Sequence, residues 1–340
     1  ATGGRRCTRR SPGRRRREPD NSGDRPVAGI GGRSRGIGYP VPVTSQLAVV
    51  TETYNSGDYL TTFLRSLGEA TTADPQVIIA DNGSVDGAPE RAEREFASAR
   101  VVRTGGNIGY GGAVNRGVAE LGPDIDYVVV ANPDVEWSPG SLDELIAATE
   151  RWPRAGSLGP LIHEPDGSVY PSARRVPDLL SGTGHALFST IWKSNPWTTA
   201  YRAADVAPSE RPVGWLSGSC VVLRRTAFDS IDGFDSRYFM YMEDVDLGDR
   251  LGKAGWLNVY VPSAVITHTK GHSAGKNPEL MLPAHHRSAY RFQADRNPGL
   301  LRAPLRLALR IGLAVRSKLA VRAARKALDN NGGHVTGDQR

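Results

Sequence analysis

An α/β protein with a mixed, mostly parallel sheet flanked by helices is what this 340-residue chain predicts. Three observations carry that expectation. Short apolar runs alternate with stretches of helical apolar spacing, at the pace of βαβ units. Polar, glycine-bearing turns follow those runs, at the strand ends where open α/β sheets bind ligands. No apolar run reaches about 18 residues, which excludes a spanning helix by the usual length criterion.

The elements follow in order. Leu47–Val50 reads as a buried strand, and Leu60, Phe63, Leu64 and Leu67 keep helical spacing after Asn55 and Ser56, which can cap a helix. Val77–Ala80 is a second strand, Pro89–Ala97 a charged helix, and Val101-Val102 a short strand. Ala113–Leu121 carries apolar residues at helical spacing, and Tyr127–Val130 is another strand. Ser141-Leu-Asp-Glu144 is a capping box opening a helix through Thr149. Farther on, Cys220–Leu223 and Trp256–Val261 read as strands and Asp244–Ala254 as a helix. Residues 300–328 form a Leu/Ala/Arg-rich helical tail with Pro304 near its start.

Charge divides the chain into three. Residues 1–40 carry a net +8, residues 41–298 a net −8 and residues 299–340 a net +7. The first segment is rich in Arg, Gly, Pro and Ser without apolar periodicity, so disorder is expected there. It also lacks the apolar stretch of a secretory signal. Residues 41–298 form the folded domain, and 299–340 a basic helical tail suited to a membrane surface. A basic nucleic-acid-binding protein is the distant alternative, and the acidic body argues against any nucleic-acid partner. Cys7 and Cys220 are too few and too far apart for a disulfide framework or a thiolate zinc site.

Chemistry-bearing residues gather where strands end. The loops Thr51–Asn55 and Asp81–Gly87 suit a nucleotide, although Asn-Gly and Asp-Gly also favour plain tight turns. Gly105–Gly112 holds five glycines in eight residues but matches neither a P-loop nor the dinucleotide fingerprint. Asn132-Pro133-Asp134 places a carboxylate in the ligand crevice, fit for a divalent cation or for a structural turn. Phe239–Asp246 sets three acids among large apolar residues at a helix start. Acids favour helix N-termini electrostatically, and apolar neighbours also raise a carboxyl pKa towards that of a general base. His268 closes a strand-like segment and can ligate a metal.

Taken in order, the segments Val49–Leu67, Ala80–Gly87, Gly105–Gly117, Val128–Val135, Gly214–Arg224 and Phe234–Gly255 resemble inverting glycosyltransferases of family 2, which have the GT-A fold. The likeness spans roughly residues 47–292. Within the family, Trp152–Ser172, Asn195–Tyr201 and Ser209–Gly255 are most similar to rhamnosyltransferases that build the arabinogalactan linker on a polyprenyl-diphosphate-GlcNAc acceptor.

That resemblance implies roles. Asp81 and the loop Thr53, Tyr54 and Asn55 would meet the thymine and ribose of dTDP-rhamnose, with Gly83, Asn107, Gly109 and Asn132 also at the nucleotide sugar. Asp134 would bind Mg²⁺ or Mn²⁺ as the last position of an Asp-x-Asp motif whose first position here is Asn132, and His268 would join it. Asp244 would be the general base with Glu243 beside it, and Trp215, Gly218 and Ser219 would border the acceptor. The implied location is cytoplasmic, peripheral on the inner face of the plasma membrane. A family 2 enzyme with another nucleotide sugar or acceptor is the nearer alternative. Glu52 departs from the apolar residue expected in its strand.

Overall fold

The structure is a computed structural model, and it describes residues 46–177, 208–269 and 278–332. The Arg-rich segment 1–40 and the stretch Asn195–Tyr201 lie outside the described residues. The first half runs β1 (Leu47–Thr53), α1 (Asp58–Ala70), β2 (Gln76–Asp81), α2 (Ala88–Glu95), β3 (Ala99–Arg103), α3 (Tyr110–Val118), β4 (Tyr127–Ala131), β5 (Val135–Trp137) and α4 (Ser141–Arg151). Strands β6 (Ala155–His163), β7 (Val169–Tyr170) and β8 (Ala173–Arg174) follow. Then come β9 (Arg211–Val213), β10 (Trp215–Leu216), β11 (Cys220–Arg224), α5 (Arg225–Asp229), α6 (Glu243–Lys253) and β12 (Leu257–His268). The chain continues with α7 (Pro278–Arg296) and, after a 3-10 turn at Leu300–Arg302, α8 (Ala303–Gly332).

The main sheet has the order β3-β2-β1-β4-β11-β6-β12-β5. Strands β3, β2, β1 and β4 pair in parallel, as do β6 and β12, while β11 inserts antiparallel between β4 and β6. Successive side chains of β1 alternate faces. Leu47 and Val49 pack with α1, α2 and α4 on one side, and Ala48 and Val50 pack with α3 and α6 on the other. Both faces of the sheet are covered, which explains the nearly unbroken apolar runs read in the sequence. The order reverses between β1 and β4, so a crevice opens at the carboxyl ends of these strands.

Helix starts differ from the sequence reading. Gly57 and Gly140, both with positive φ, stand at the N-caps of α1 and α4, with no side-chain capping bond at either. Ser141 is buried inside α4 with its hydroxyl unpartnered, and Glu144 turns to Arg151 and Ser263 instead of closing a capping box. Asn55 is drawn away by the neighbouring loop, receiving the Val85 N–H on Oδ1 and giving its own N–H to Ser84 Oγ.

The tail is helical as expected. Leu305, Leu309 and Leu313 are half-buried, with α8 packed against α7. The exposed apolar stripe is Leu307 (59%), Ile311 (57%), Val315 (52%) and Leu319 (57%). Among the described residues no helix is long and apolar enough to cross a membrane.

Candidate active site

A cavity of about 420 Å³ lies at the carboxyl ends of β1 and β4. Of the residues expected at a site, Tyr54, Asn132, Asp134, Gly218, Ser219, Glu243, Asp244 and His268 line it. Segments far apart in sequence supply them, and the sheet brings them together. Asn132 N–H donates to Ser219 O at 2.9 Å, tying the end of β4 to the turn before β11. Val135 pairs with His268 across β5 and β12, and Thr269 N–H donates to Asp134 O at 3.1 Å.

Asp134 and His268 therefore face each other, with Oδ1 3.0 Å from Nε2. Asn132 Nδ2 is 3.2 Å from the same Nε2. His268 is buried and its Nδ1 has no partner among the described residues. One carboxylate and one imidazole meeting at a cavity wall fit a divalent cation that takes its other ligands from a diphosphate and water. No group of three or more His, Cys, Asp or Glu suited to a metal occurs among the described residues.

The same cavity is lined by the acid pair Glu243 and Asp244. Phe239–Met242 enters α6 with Tyr241 and Met242 both at φ 68°, a left-handed conformation that costs non-glycine residues energy. Outside bonds hold the segment there: Tyr110 N–H donates to Phe239 O, Ser288 Oγ donates to Met240 O, and the Tyr241 ring meets His285 edge-on. The left-handed turn aims the first residues of α6 into the cavity. Asp244 Oδ2 accepts the Gly218 N–H at 3.1 Å and Oδ1 accepts the Val245 N–H at 2.8 Å. Burial raises its pKa, and these backbone donors and Arg174 pull the other way. Glu243 Oε2 is buried with no partner among the described residues, and burial with the adjacent Asp244 charge lifts its pKa to about 8. One proton on Glu243 and a charge on Asp244 is the arrangement these surroundings favour.

Other expected residues lie outside the cavity lining. Thr53 is buried, its hydroxyl 2.7 Å from that of Ser56. Asp81 is buried, with Oδ1 accepting the Ser84 N–H and Oδ2 paired to Arg103 at 2.5 Å, so its carboxylate orders the loop. Gly83 and Asn107 are exposed on neighbouring turns. Gly109 (φ 82°) is pressed against the backbone of Phe239, which ties the glycine-rich loop to the acid-bearing segment. Trp215 sits behind the site among Tyr238, Val245 and Phe292, donating Nε1–H to Arg175 O. The sequence reading overlooked the aromatic lining of Tyr59, Tyr110, Tyr170 and Tyr241. Tyr59 stands one residue into α1 and Tyr110 opens α3, so tyrosine at a helix start after a polar turn was the available signal.

Residues 48–231 match the family described as Glycosyl transferase family 2. The chain belongs to that family. It is 57% identical over 291 residues to an N-acetylglucosaminyl-diphospho-decaprenol L-rhamnosyltransferase of Mycobacterium tuberculosis, covering 83% of this chain and 95% of that protein. It is also 29% identical over 197 residues to the rhamnosyltransferase WbbL of Escherichia coli (strain K12), covering 56% of this chain and 72% of the other. Among solved structures, GalNAc-T7 with UDP, GalNAc and Mn²⁺ matches with a TM-score of 0.51 at 16% identity, over 67% of this chain and 44% of that one. That likeness speaks for the GT-A fold expected of family 2 glycosyltransferases.

Proposed function

We propose that this family 2 glycosyltransferase moves L-rhamnose from dTDP-β-L-rhamnose to the 3-hydroxyl of GlcNAc-diphospho-polyprenol, with inversion at C1. The observation that carries the reading is one cavity lined both by Asp244, whose two oxygens accept backbone N–H groups, and by the Asp134–His268 pair. The extent of likeness to the mycobacterial rhamnosyltransferase supports the donor and acceptor.

The acceptor hydroxyl attacks C1 from the face opposite the diphosphate while the C1–O bond to the diphosphate breaks. Asp244 takes the hydroxyl proton, oriented by the Gly218 and Val245 amides. Glu243 keeps its own proton and so leaves one charge in the pair. Asp134 and His268 fit Mg²⁺ or Mn²⁺, whose chemistry there is to neutralise charge gathering on the diphosphate. The Asp81–Ser84 loop and the Tyr54–Asn55 turn bound the nucleoside.

The acceptor is a membrane lipid, and α8 supplies a surface for meeting it. Its exposed stripe Leu307, Ile311, Val315 and Leu319 adjoins exposed Arg310, Lys318 and Arg322, the make-up of a helix lying at an anionic lipid surface. The proposed place is the cytoplasmic face of the plasma membrane.

A transfer assay tests the reading. Radiolabelled rhamnose should pass from dTDP-rhamnose to GlcNAc-diphospho-polyprenol, and UDP-galactofuranose and UDP-GlcNAc should serve poorly. EDTA should stop the reaction and Mg²⁺ or Mn²⁺ restore it. Equal or better use of a UDP-sugar overturns the donor, and activity after exhaustive chelation overturns the cation.

A further inference from the structure

A carboxylate at position 52 is out of place in a strand that is otherwise apolar or threonine. Glu52 shares the face of Ala48 and Val50, which packs against α3, and at the strand's end that face opens into the cavity. Its Oε1 accepts Asn82 Nδ2–H at 2.8 Å. The Asn82 amide has one sensible orientation, because its Oδ1 accepts the Ile108 N–H at 3.4 Å and its Nδ2–H also reaches the Gly109 carbonyl at 3.4 Å. Asn82 therefore fixes one oxygen of Glu52, and the other has no hydrogen-bond partner among the described residues.

The geometry points to Glu52 as a specificity residue that hydrogen-bonds a hydroxyl of the sugar being transferred; this rests on the donor reading above. Position chooses the sugar over the rest of the donor. The diphosphate belongs with Asp134 and His268, and the polar groups of the Asp81–Asp86 loop are largely engaged with one another and with the Asn55–Gly57 turn. C1 of the donor must lie between the diphosphate and Asp244, and Glu52 lines the same cavity within electrostatic reach of both Asp134 and Glu243.

Charge agrees with this placement. The ionisable groups facing Glu52 are Asp81 on β2, Asp134 after β4, Tyr110 on α3 and Glu243 on α6. Burial lifts its pKa to about 7, with Asp81 and Asp134 adding to the rise and the Asn82 hydrogen bond opposing it. A carboxyl near half protonation at neutral pH puts less negative charge against a diphosphate and has an O–H to donate in its neutral form, which suits a sugar hydroxyl that both donates and accepts.

The test compares binding of dTDP and dTDP-rhamnose by calorimetry for the full chain and two variants. Glu52→Met keeps length without hydrogen bonding, and Glu52→Gln keeps an acceptor for Asn82 and a donor for the cavity. Glu52→Met should weaken dTDP-rhamnose about tenfold, the scale of one lost hydrogen bond, and leave dTDP within about twofold. Glu52→Gln should stay within about threefold of wild type for both. Retained dTDP binding reports that each variant is folded. Equal loss for both ligands, or no loss for either, overturns the role of Glu52. Wild-type protein that binds dTDP but gains nothing from the rhamnosyl group overturns the donor reading together with it.

Discussion

Asp244 and Glu243 are sequence neighbours whose carboxyls meet different surroundings. Both oxygens of Asp244 accept backbone N–H groups, while Glu243 Oε2 is buried without a partner among the described residues. Asp244→Asn keeps the shape and loses the proton acceptor. Turnover should fall about a hundredfold or more, the low end of acid–base contributions, with dTDP affinity little changed. Near-normal turnover would remove Asp244 as the base. Glu243 makes a separate prediction about pH. Its pKa rises from 4.5 to about 8 on folding, so between those values the folded protein holds a proton that the unfolded chain has released. Stability is then complete below about pH 4.5 and declines as pH rises through about 8. Glu52, lifted to about 7, acts in the same direction. Glu243→Gln abolishes that titration, so its melting temperature should gain on wild type between about pH 5 and pH 8.5. Parallel melting curves across that range would refute the protonated Glu243.

At the scale of elements, the glycine-rich loop and the acid-bearing segment are one unit. Gly109 has φ 82°, and a Cβ there would overlap the backbone of Phe239, whose carbonyl accepts the Tyr110 N–H. Gly109→Ala should cost on the order of 1–3 kcal/mol in urea unfolding and lower transfer by displacing the segment that leads into α6. Gly112→Ala, inside α3 with only ordinary contact to Ile108, should be neutral or slightly stabilising. Equal effects at the two positions would contradict the coupling. The same elements show what a sequence reveals. Strands β1, β2 and β4 were legible because both of their faces are buried, leaving unbroken apolar runs. Strand β6 was not, since Gly156, Gly159 and Pro160 interrupt its apolar pattern. There the side chains of Trp256 and Leu216 press so close that a Cβ would collide. Helix α7 was hidden by Pro283 and by burial of the polar His286 and Ser288. Asp134, His268 and Asp244 were legible from their places at strand and helix ends. The tyrosines were not, because they come from separate segments with no shared period.

For the whole molecule, charge and exposed apolar surface meet on α8. The segment 41–298 carries −8, so attraction to an anionic bilayer must come from elsewhere, and eight basic residues lie within 300–328. Three of them have structural duties: Arg302 donates to Asn297 Oδ1, Arg306 to the carbonyls of Asn297 and Gly299, and Arg325 to Glu279 Oε1. Deleting everything after Asn297 would therefore disturb the end of α7 as well as remove the proposed lipid contact. Point charges in the exposed stripe are cleaner, because Ile311 and Val315 stand more than half exposed. Burying either side chain at a lipid interface is worth up to about 2 kcal/mol, and each nearby basic residue adds about 1 kcal/mol at low salt. The double variant Ile311→Glu/Val315→Glu should lower co-sedimentation with anionic vesicles at least about tenfold while leaving the melting temperature intact. Raised salt should weaken the wild-type protein's binding, since the basic contribution is screened. Transfer to a short water-soluble GlcNAc-diphospho acceptor should survive in the double variant, and transfer to the long polyprenyl acceptor should fall. Undiminished co-sedimentation would show that this stripe does not meet lipid. Equal loss on both acceptors would assign α8 to the catalytic domain's own integrity.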